Sequence, residues 1–565
     1  MISMIDNETI AAILLELADL VDIKGDDPFK SRAYRLAADR IARLSEDVAT
    51  LAAQDRLREI PGVGDAIARK IDEIIATGTL RLRDQLRAEI PSGVLDLLRV
   101  PGIGPRTASL LYRAGVTGIA DLRAALDDGR LNGIKGLGPK KIENLRRDLD
   151  AYAARTARWP AADLWTVAQA IAEVISTLPG VSRVEVAGSL RRHAETARDI
   201  DLVAAADDPG PIVAWFVSWE EVTEVLATGE DRVRVRLRAG PEVDLVVARP
   251  PAYAVSLLRM TGSRAHVGRL DALARERGRR LDSEDFATEA EIYAAAGLEF
   301  VPPELREDAG EIELAARGAL PALVRRADLR GDLHCHTTYS DGTRDLLAMA
   351  EAARARGLTY LAITDHSPSL AVAHGLSRER LLAQKAEIDR LNAGWHDFRL
   401  FWGMEVDILP DGRLDMDDET LAMLDVVVAS VHTAFHQPRE TMTARVCRAL
   451  ENPHVDIFAH PTGRLLGRRD PYGIDLDEVM RACARHGVAL EINSHPLRLE
   501  LDEQHARQAR AMGIQLAVDS DAHGPGGFDD LDWGVYVARR AWLEPADVLN
   551  TMPAGDLLAW LRRRS

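Results

Sequence analysis

A chain of 565 residues is too long for a single hydrophobic core, and 47% hydrophobic against 28% charged residues is a folded profile that excludes a disordered polypeptide. No apolar run approaches the roughly 20 residues that span a bilayer. Only three cysteines (Cys335, Cys447, Cys483) exclude a disulfide scaffold and point to a reducing compartment, the cytoplasm. The net charge of −18 is unevenly spread: the first 150 residues are near neutral and free to carry basic patches, whereas the acidic remainder suits sites that collect divalent cations.

The N-terminal stretch MISMIDNETIAAILLELADL carries acids early and has no basic region ahead of its apolar residues, so it predicts an amphipathic helix and not a secretion signal. Three glycine turns follow: IPGVGDAIARKI at 60–71, VPGIGPRTASLL at 100–111 and IKGLGPKKIENL at 134–145. Each joins an apolar residue to an amphipathic helix, which is helix–hairpin–helix grammar. Glycine (Gly62, Gly64, Gly102, Gly104, Gly136, Gly138) lets a backbone approach a phosphate, and the helix start that follows favours an anion. Such contacts hold DNA without reading bases.

Next comes VEVAGSLRRHAETARDIDLVAAA at 184–206. Asp199 and Asp201 are two apart in a predicted strand, so both carboxylates face one side. A third acid, Asp244, sits in the strand PEVDLVVA. Three carboxylates converging on two Mg²⁺ or Mn²⁺ ions support in-line attack at phosphorus. The segment 307–330 has helical stretches and reads as a partly ordered connector.

From Gly331 the composition changes: of 15 histidines, only His193 and His266 precede it. Short β-branched runs alternate with amphipathic stretches, six or seven times, which predicts a parallel βα barrel. The runs end on metal-type residues: His334 and His336, then His366, Glu405, His432, His460, and Asp521 with His523; Asp341 lies in the first loop. Parallel barrels carry their functional groups at these strand ends. Six imidazoles and three carboxylates exceed one ion's needs, so two or three ions are expected, with Glu405 the best bridge and Mn²⁺, Zn²⁺ or Fe²⁺ preferred over Mg²⁺ or Ca²⁺.

The motifs DLHCHTTYSDG, ITDHS, GMEVD, SVH, AHPTG and SDAH resemble the PHP (polymerase and histidinol phosphatase) domain, over 331 to about 555. That resemblance implies a distorted (β/α)7 barrel, and all nine of the family's ligand positions are filled here. The order hairpin, hairpin, GSLRR…DID, VDL, TGS, PPELRED resembles the family X DNA polymerases, and fusion to a PHP domain resembles their bacterial branch. The resemblance implies a multidomain chain: α-helical helix–hairpin–helix domains at 1–85 (lyase-like) and 86–155 (fingers), an α+β nucleotidyltransferase palm at 156–249, a thumb at 250–318, a linker at 319–330 and the barrel at 331–565. It implies palm metals on Asp199, Asp201 and Asp244. Nucleotide contacts fall on Gly188, Ser189, Arg192, Thr261, Gly262 and Ser263. A lyase pocket falls on Lys30, Tyr34 and Lys70, with Lys70 as the Schiff-base lysine; a second pocket lysine of the family falls on Ala66. The implied role is a monomeric repair enzyme that takes gapped or nicked DNA and dNTPs, fills short gaps, and carries 3′→5′ exonuclease and abasic-site endonuclease action on the barrel.

The polymerase half departs from the family at several positions. Arg198 stands where glycine is usual, His193 where a small residue is usual, and Val246 where arginine is usual. Arg259-Met260 replaces an aromatic pair, and Val267 an asparagine. Two readings follow: a repair polymerase with an attached nuclease, or a degenerate palm that presents DNA ends to the PHP phosphoesterase. A small-molecule phosphatase leaves the hairpins unexplained, and a scaffold leaves twelve metal-type residues without purpose.

Overall fold

The first helix, Asn7–Lys24, buries Ile10, Leu14, Leu17 and Val21, the spacing of one helical face. A computed structural model of the chain describes residues 7–25, 28–42, 48–54, 56–100, 102–156, 158–370 and 373–564. Two compact units divide it at Ala157 and Arg158. In the first, helices Pro28–Ala42, Asp65–Thr77, Arg81–Glu89, Pro105–Arg113, Ile119–Asp127 and Pro139–Thr156 share with Asn7–Lys24 one apolar cluster running from Ile10 to Leu149. The three glycine turns each end on a helix start. Gly62 sits at φ +91°, a left-handed conformation that strains any residue with a Cβ, which here would also meet the Leu36 side chain at 2.9 Å.

The second unit opens with a five-stranded mixed sheet, in the order Val181–Val186, Asp199–Ala206, Glu242–Ala248, Arg232–Leu237, Val222–Thr228. The two aspartate-bearing strands lie side by side and parallel, with Asp201 opposite Asp244. Helices Ala161–Ser176 and Gly210–Ser218 pack on the sheet. Helices Tyr253–Thr261, Arg264–Glu276 and Glu289–Ala295 build a separate apolar cluster with Leu320 and Leu323 of the connector. Val324 already belongs to the next core, and its N–H donates to the Leu543 carbonyl. The connector is therefore packed along its length.

Seven parallel strands follow, each beside its sequence neighbour: Gly331–Asp332, Tyr360–Ile363, Arg399–Asp407, Val426–Ser430, Ile457–Phe458, Ala489–Asn493 and Leu516–Asp519. The ring closes where Cys335 bridges Ala522 and the His336 N–H donates to the Ala522 carbonyl. Tyr360, Phe401, Val428 and Ile457 fill the interior with Leu557 and Leu561 of the last helix, Ala554–Leu561. That packed interior leaves polar chemistry to the opposite end, where the strands finish.

Candidate metal centre and palm

At that end the nine expected ligands come together. Four overlapping groups have donor atoms within 4.8 Å of one another: His336, Asp341, His366 and His523; His334, Glu405 and His460; His334, His336 and Asp521; His366, Glu405 and His432. Glu405 is the centre. Its carboxylate lies 2.8 Å from His366 Nδ1, 2.9 Å from His460 Nε2, and 3.4 Å from both His334 Nε2 and His432 Nε2. His334 Nε2, both ring nitrogens of His336, His460 Nδ1 and Glu405 Oε2 are buried without a hydrogen-bond partner. Buried polar atoms are rarely left so, and five in one cluster fit a cage for cations.

Outer carboxylates orient the imidazoles. Glu491 bonds His334 Nδ1 at 2.6 Å and accepts from the His460 N–H, while Asp407 bonds His432 Nδ1 at 2.6 Å. The two ring contacts place the proton on Nδ1 of His334 and His432 and turn their Nε2 atoms toward Glu405, while the His460 contact fixes its backbone. Asn493 Nδ2 donates to Asp521. Burial, then the charges of His523 and His366, push the His336 imidazole down to about 3, so it is a neutral donor. Burial works to raise Asp341, Glu405 and Asp521, yet their histidine neighbours hold all three well below the usual carboxylate range. Burial lowers His366 and His523, but Glu405 and Asp341 raise them to about 10 and about 9. These rings release protons as dications bind. Asp407 and Glu491 were not singled out from sequence; Asp407 stands two residues after Glu405, on the same strand face, and that spacing was the available signal.

In the palm the three aspartates share one end of two strands, but arginines occupy two of them. Arg232 makes a two-pronged bond to Asp244, and Arg234 bonds Asp199 at 3.1 Å. Burial, then the charges of Asp199 and Asp244, lift Asp201 to about 7. Gly188 adopts φ +62°, and a Cβ there would fall 1.8 Å from Asp201 Oδ2, so only glycine lets the 188–193 turn rest on this carboxylate. Of the nucleotide residues expected from sequence, Arg192, Thr261 and Ser263 are engaged internally. Arg192 bonds Glu307 at 2.8 Å and the Thr261 carbonyl at 2.8 Å. Thr261 is fully buried and accepts from Arg191, while Ser263 caps the helix after it. The arginines of DRVRVRL escaped notice in the sequence; their alternation, facing the acids from the next strand, was the clue.

In the helical unit, Lys70 Nζ stands 5.7 Å from the Tyr34 ring and Lys30 lies one turn before Tyr34. A separate cleft is lined by Arg32, Arg35, Arg106, Arg113 and Ser109. Arg35 is paired with Asp19 and Asp22. Arg32, Arg106 and Arg113 have no acidic partner among the described residues, which leaves the cleft strongly positive.

Comparison with known proteins follows the same order along the chain. Residues 5–80 match a helix-hairpin-helix domain, 94–151 a SAM-like helix-hairpin-helix tandem, 256–307 the DNA polymerase beta thumb, and 332–495 the PHP domain. A relative from Bacillus subtilis (strain 168), named DNA polymerase/3′-5′ exonuclease PolX, is 37% identical over 98% of this chain and 99% of its own. The chain belongs to the bacterial family X DNA polymerases with a C-terminal PHP domain. Part of the chain is also similar to shorter proteins: a probable phosphatase of Thermoanaerobacter sp. (strain X514) is 29% identical over 41% of this chain and 94% of its own. Another from Acetivibrio thermocellus is 31% identical over 34% and 78%. For a family X chain, the departure at His193 has a local cause: its imidazole stacks on Tyr536 at 3.4 Å between ring centroids, with planes 1° apart. No helix among the described residues is long and apolar enough to cross a membrane.

Proposed function

We propose that the chain is a two-site DNA repair enzyme: the palm adds nucleotides into short gaps, and the barrel removes 3′ nucleotides and cuts at abasic sites. The observation that carries the nuclease is the sharing of Glu405, His334, His336 and His366 between ligand groups, the arrangement expected of neighbouring ions on one substrate. When bound, two or three Mn²⁺ or Zn²⁺ ions on His334, His336, Asp341, His366, Glu405, His432, His460, Asp521 and His523 supply a low-pKa water and a counter-charge for phosphate. The chain's own part is orientation. Asp407 and Glu491 fix the imidazoles, and Arg498, 3.5 Å from Asp521, adds a fixed cation beside the mouth.

For the palm, Asp199, Asp201 and Asp244 are the proposed ligands of two Mg²⁺ or Mn²⁺ ions, with Gly188, Ser189, Arg192 and Thr261–Ser263 at the nucleotide. Gapped DNA is held by the glycine turns at Gly62, Gly64, Gly102, Gly104, Gly136 and Gly138, with Lys30, Tyr34 and Lys70 forming a lyase pocket. Boundaries at 85, 155, 249, 318 and 330 divide these roles, and the enzyme works as a cytoplasmic monomer. The pairing of Arg232 and Arg234 with Asp244 and Asp199 favours a second reading, in which the palm is a DNA platform for the nuclease. One assay separates them. Wild type extends a primer across a one-nucleotide gap and Asp199→Ala does not; absence of extension by wild type selects the platform. His334→Ala or His432→Ala abolishes Mn²⁺-dependent release of 3′ nucleotides, and a full rate in either variant removes the nuclease assignment.

A further inference from the structure

The palm turn 188–193 is gripped from outside the palm. At one end Gly188 rests on Asp201. At the other, His193 adopts φ +51° and lies flat on Tyr536, with the Trp165 ring tilted against it at 5.2 Å between centroids. Tyr536 belongs to the barrel helix Leu531–Arg540. This helix buries Leu531, Val535 and Ala538 in the barrel core, turns Tyr536 and Arg540 the other way, and packs Trp533 against both the barrel core and the palm core. Arg540 donates to the Arg192 carbonyl at 2.8 Å and bonds Glu503 at 2.8 Å. Its neighbour Arg539 bonds Glu304 at 2.7 Å. Just past the turn, Arg464 bonds Glu195 at 2.6 Å; Arg464 is four residues after the ligand His460.

Glu307 is the shared element. It holds Arg192 Nε at 2.8 Å and both terminal nitrogens of Arg540 at 3.3 Å. Glu307 on Nε and the Thr261 carbonyl on Nη1 fix the Arg192 guanidinium, and a swing away from this position strips a half-buried carboxylate of a partner, which is costly. Arg540 is already in place to remain with it.

We propose that the barrel forms part of the nucleotide site: Tyr536 and Arg540 are positioning residues for the 188–193 turn, and Glu307 is a counter-ion that restrains Arg192 and passes to Arg540 when nucleotide binds. This rests on the polymerase reading of the palm. The restraint gives opposite signs to two neighbouring substitutions. Glu307→Gln frees Arg192 and lowers KM for the dNTP. Arg540→Gln leaves Glu307 dependent on Arg192 alone and raises it. Tyr536→Ala removes the stacked platform and raises KM, while Tyr536→Phe keeps the ring and the wild-type value.

The experiment is steady-state filling of a one-nucleotide gap by full-length protein, with KM and kcat separated, and Mn²⁺-dependent 3′ exonuclease measured on the same preparations. The expected result is a KM shift of roughly tenfold in each direction, the scale of one charge-assisted hydrogen bond, with kcat little changed and exonuclease at the wild-type rate. An unchanged KM in Arg540→Gln and Tyr536→Ala overturns the proposal, as does a shift of the same sign in Glu307→Gln and Arg540→Gln, which a merely structural role produces. Failure of wild type to fill the gap at all removes the polymerase reading itself, a distinct outcome.

Discussion

Glu405→Gln is the sharpest probe of the barrel mouth because it changes a charge and almost no volume. Glu405 is 1% exposed and has five imidazoles around it, the farthest, His336 Nε2, at 3.6 Å. Unit charges 4 Å apart at an effective dielectric of 20 attract by about 4 kcal/mol. Losing the carboxylate therefore weakens an adjacent ion by roughly a thousandfold, and a divalent charge makes that figure a floor. Glu405 belongs to two ligand groups, so at least two ions feel the change. The variant is dialysed against micromolar Mn²⁺, its metal content measured by atomic spectroscopy, and its exonuclease assayed on 3′-labelled DNA. Both fall to background while far-UV circular dichroism and gap filling stay at wild-type levels. Wild-type ion content in Glu405→Gln would refute the bridging role, whatever the activity.

Three further outcomes follow from the remaining sites. Replacing Arg106 and Arg113 by alanine lowers the steepness of log K against log salt for duplex DNA by about 0.9 per arginine; an unchanged slope removes the cleft from the DNA interface. Burial first, against the opposing charge of Glu304, holds His193 down at about 4, below its unfolded value of 6.5. The unfolded chain then takes up a proton that the folded chain refuses, so stability is fully present above pH 6.5 and is lost as pH falls toward 4, by at most about 3 kcal/mol. His193→Phe keeps the stack and cannot titrate, and its urea midpoint gains on wild type across that window; parallel curves contradict the assignment. Arg232→Gln leaves the buried Asp244 without its two-pronged partner and costs about 2 kcal/mol without dications, reduced from a fully buried pair because Arg232 is half exposed. Mn²⁺ restores the lost calorimetric stability, and no recovery would mean that the three palm carboxylates do not hold an ion.

The barrel and the strand-end imidazoles and carboxylates that it gathers were readable because a parallel strand ends where its apolar run ends, and period 2 tells which side a residue faces. His334 with His336, and Asp521 with His523, needed no tertiary information to be paired. The same rule reaches Asp407 from Glu405. It does not reach Glu491, whose role depends on where the strand Ala489–Asn493 stands relative to His334, 157 residues away in the chain. In the palm, the three aspartates were legible and their arginine partners were not, because strand Arg232–Leu237 gains that role only by lying beside Glu242–Ala248.

Local pattern alone determined that this chain has glycine turns ahead of helices, a strand pair bearing carboxylates and a ring of strand-end imidazoles and carboxylates, since each is written in the spacing of a few consecutive residues. Only the tertiary structure decided that Arg192 is held by Glu307, that His193 lies on Tyr536 of the barrel, and that Arg32, Arg106 and Arg113 face one cleft whose lining acid, Asp22, is paired with Arg35. Those are contacts between segments tens to hundreds of residues apart. Their energies depend on distance and burial, which no short stretch of sequence encodes.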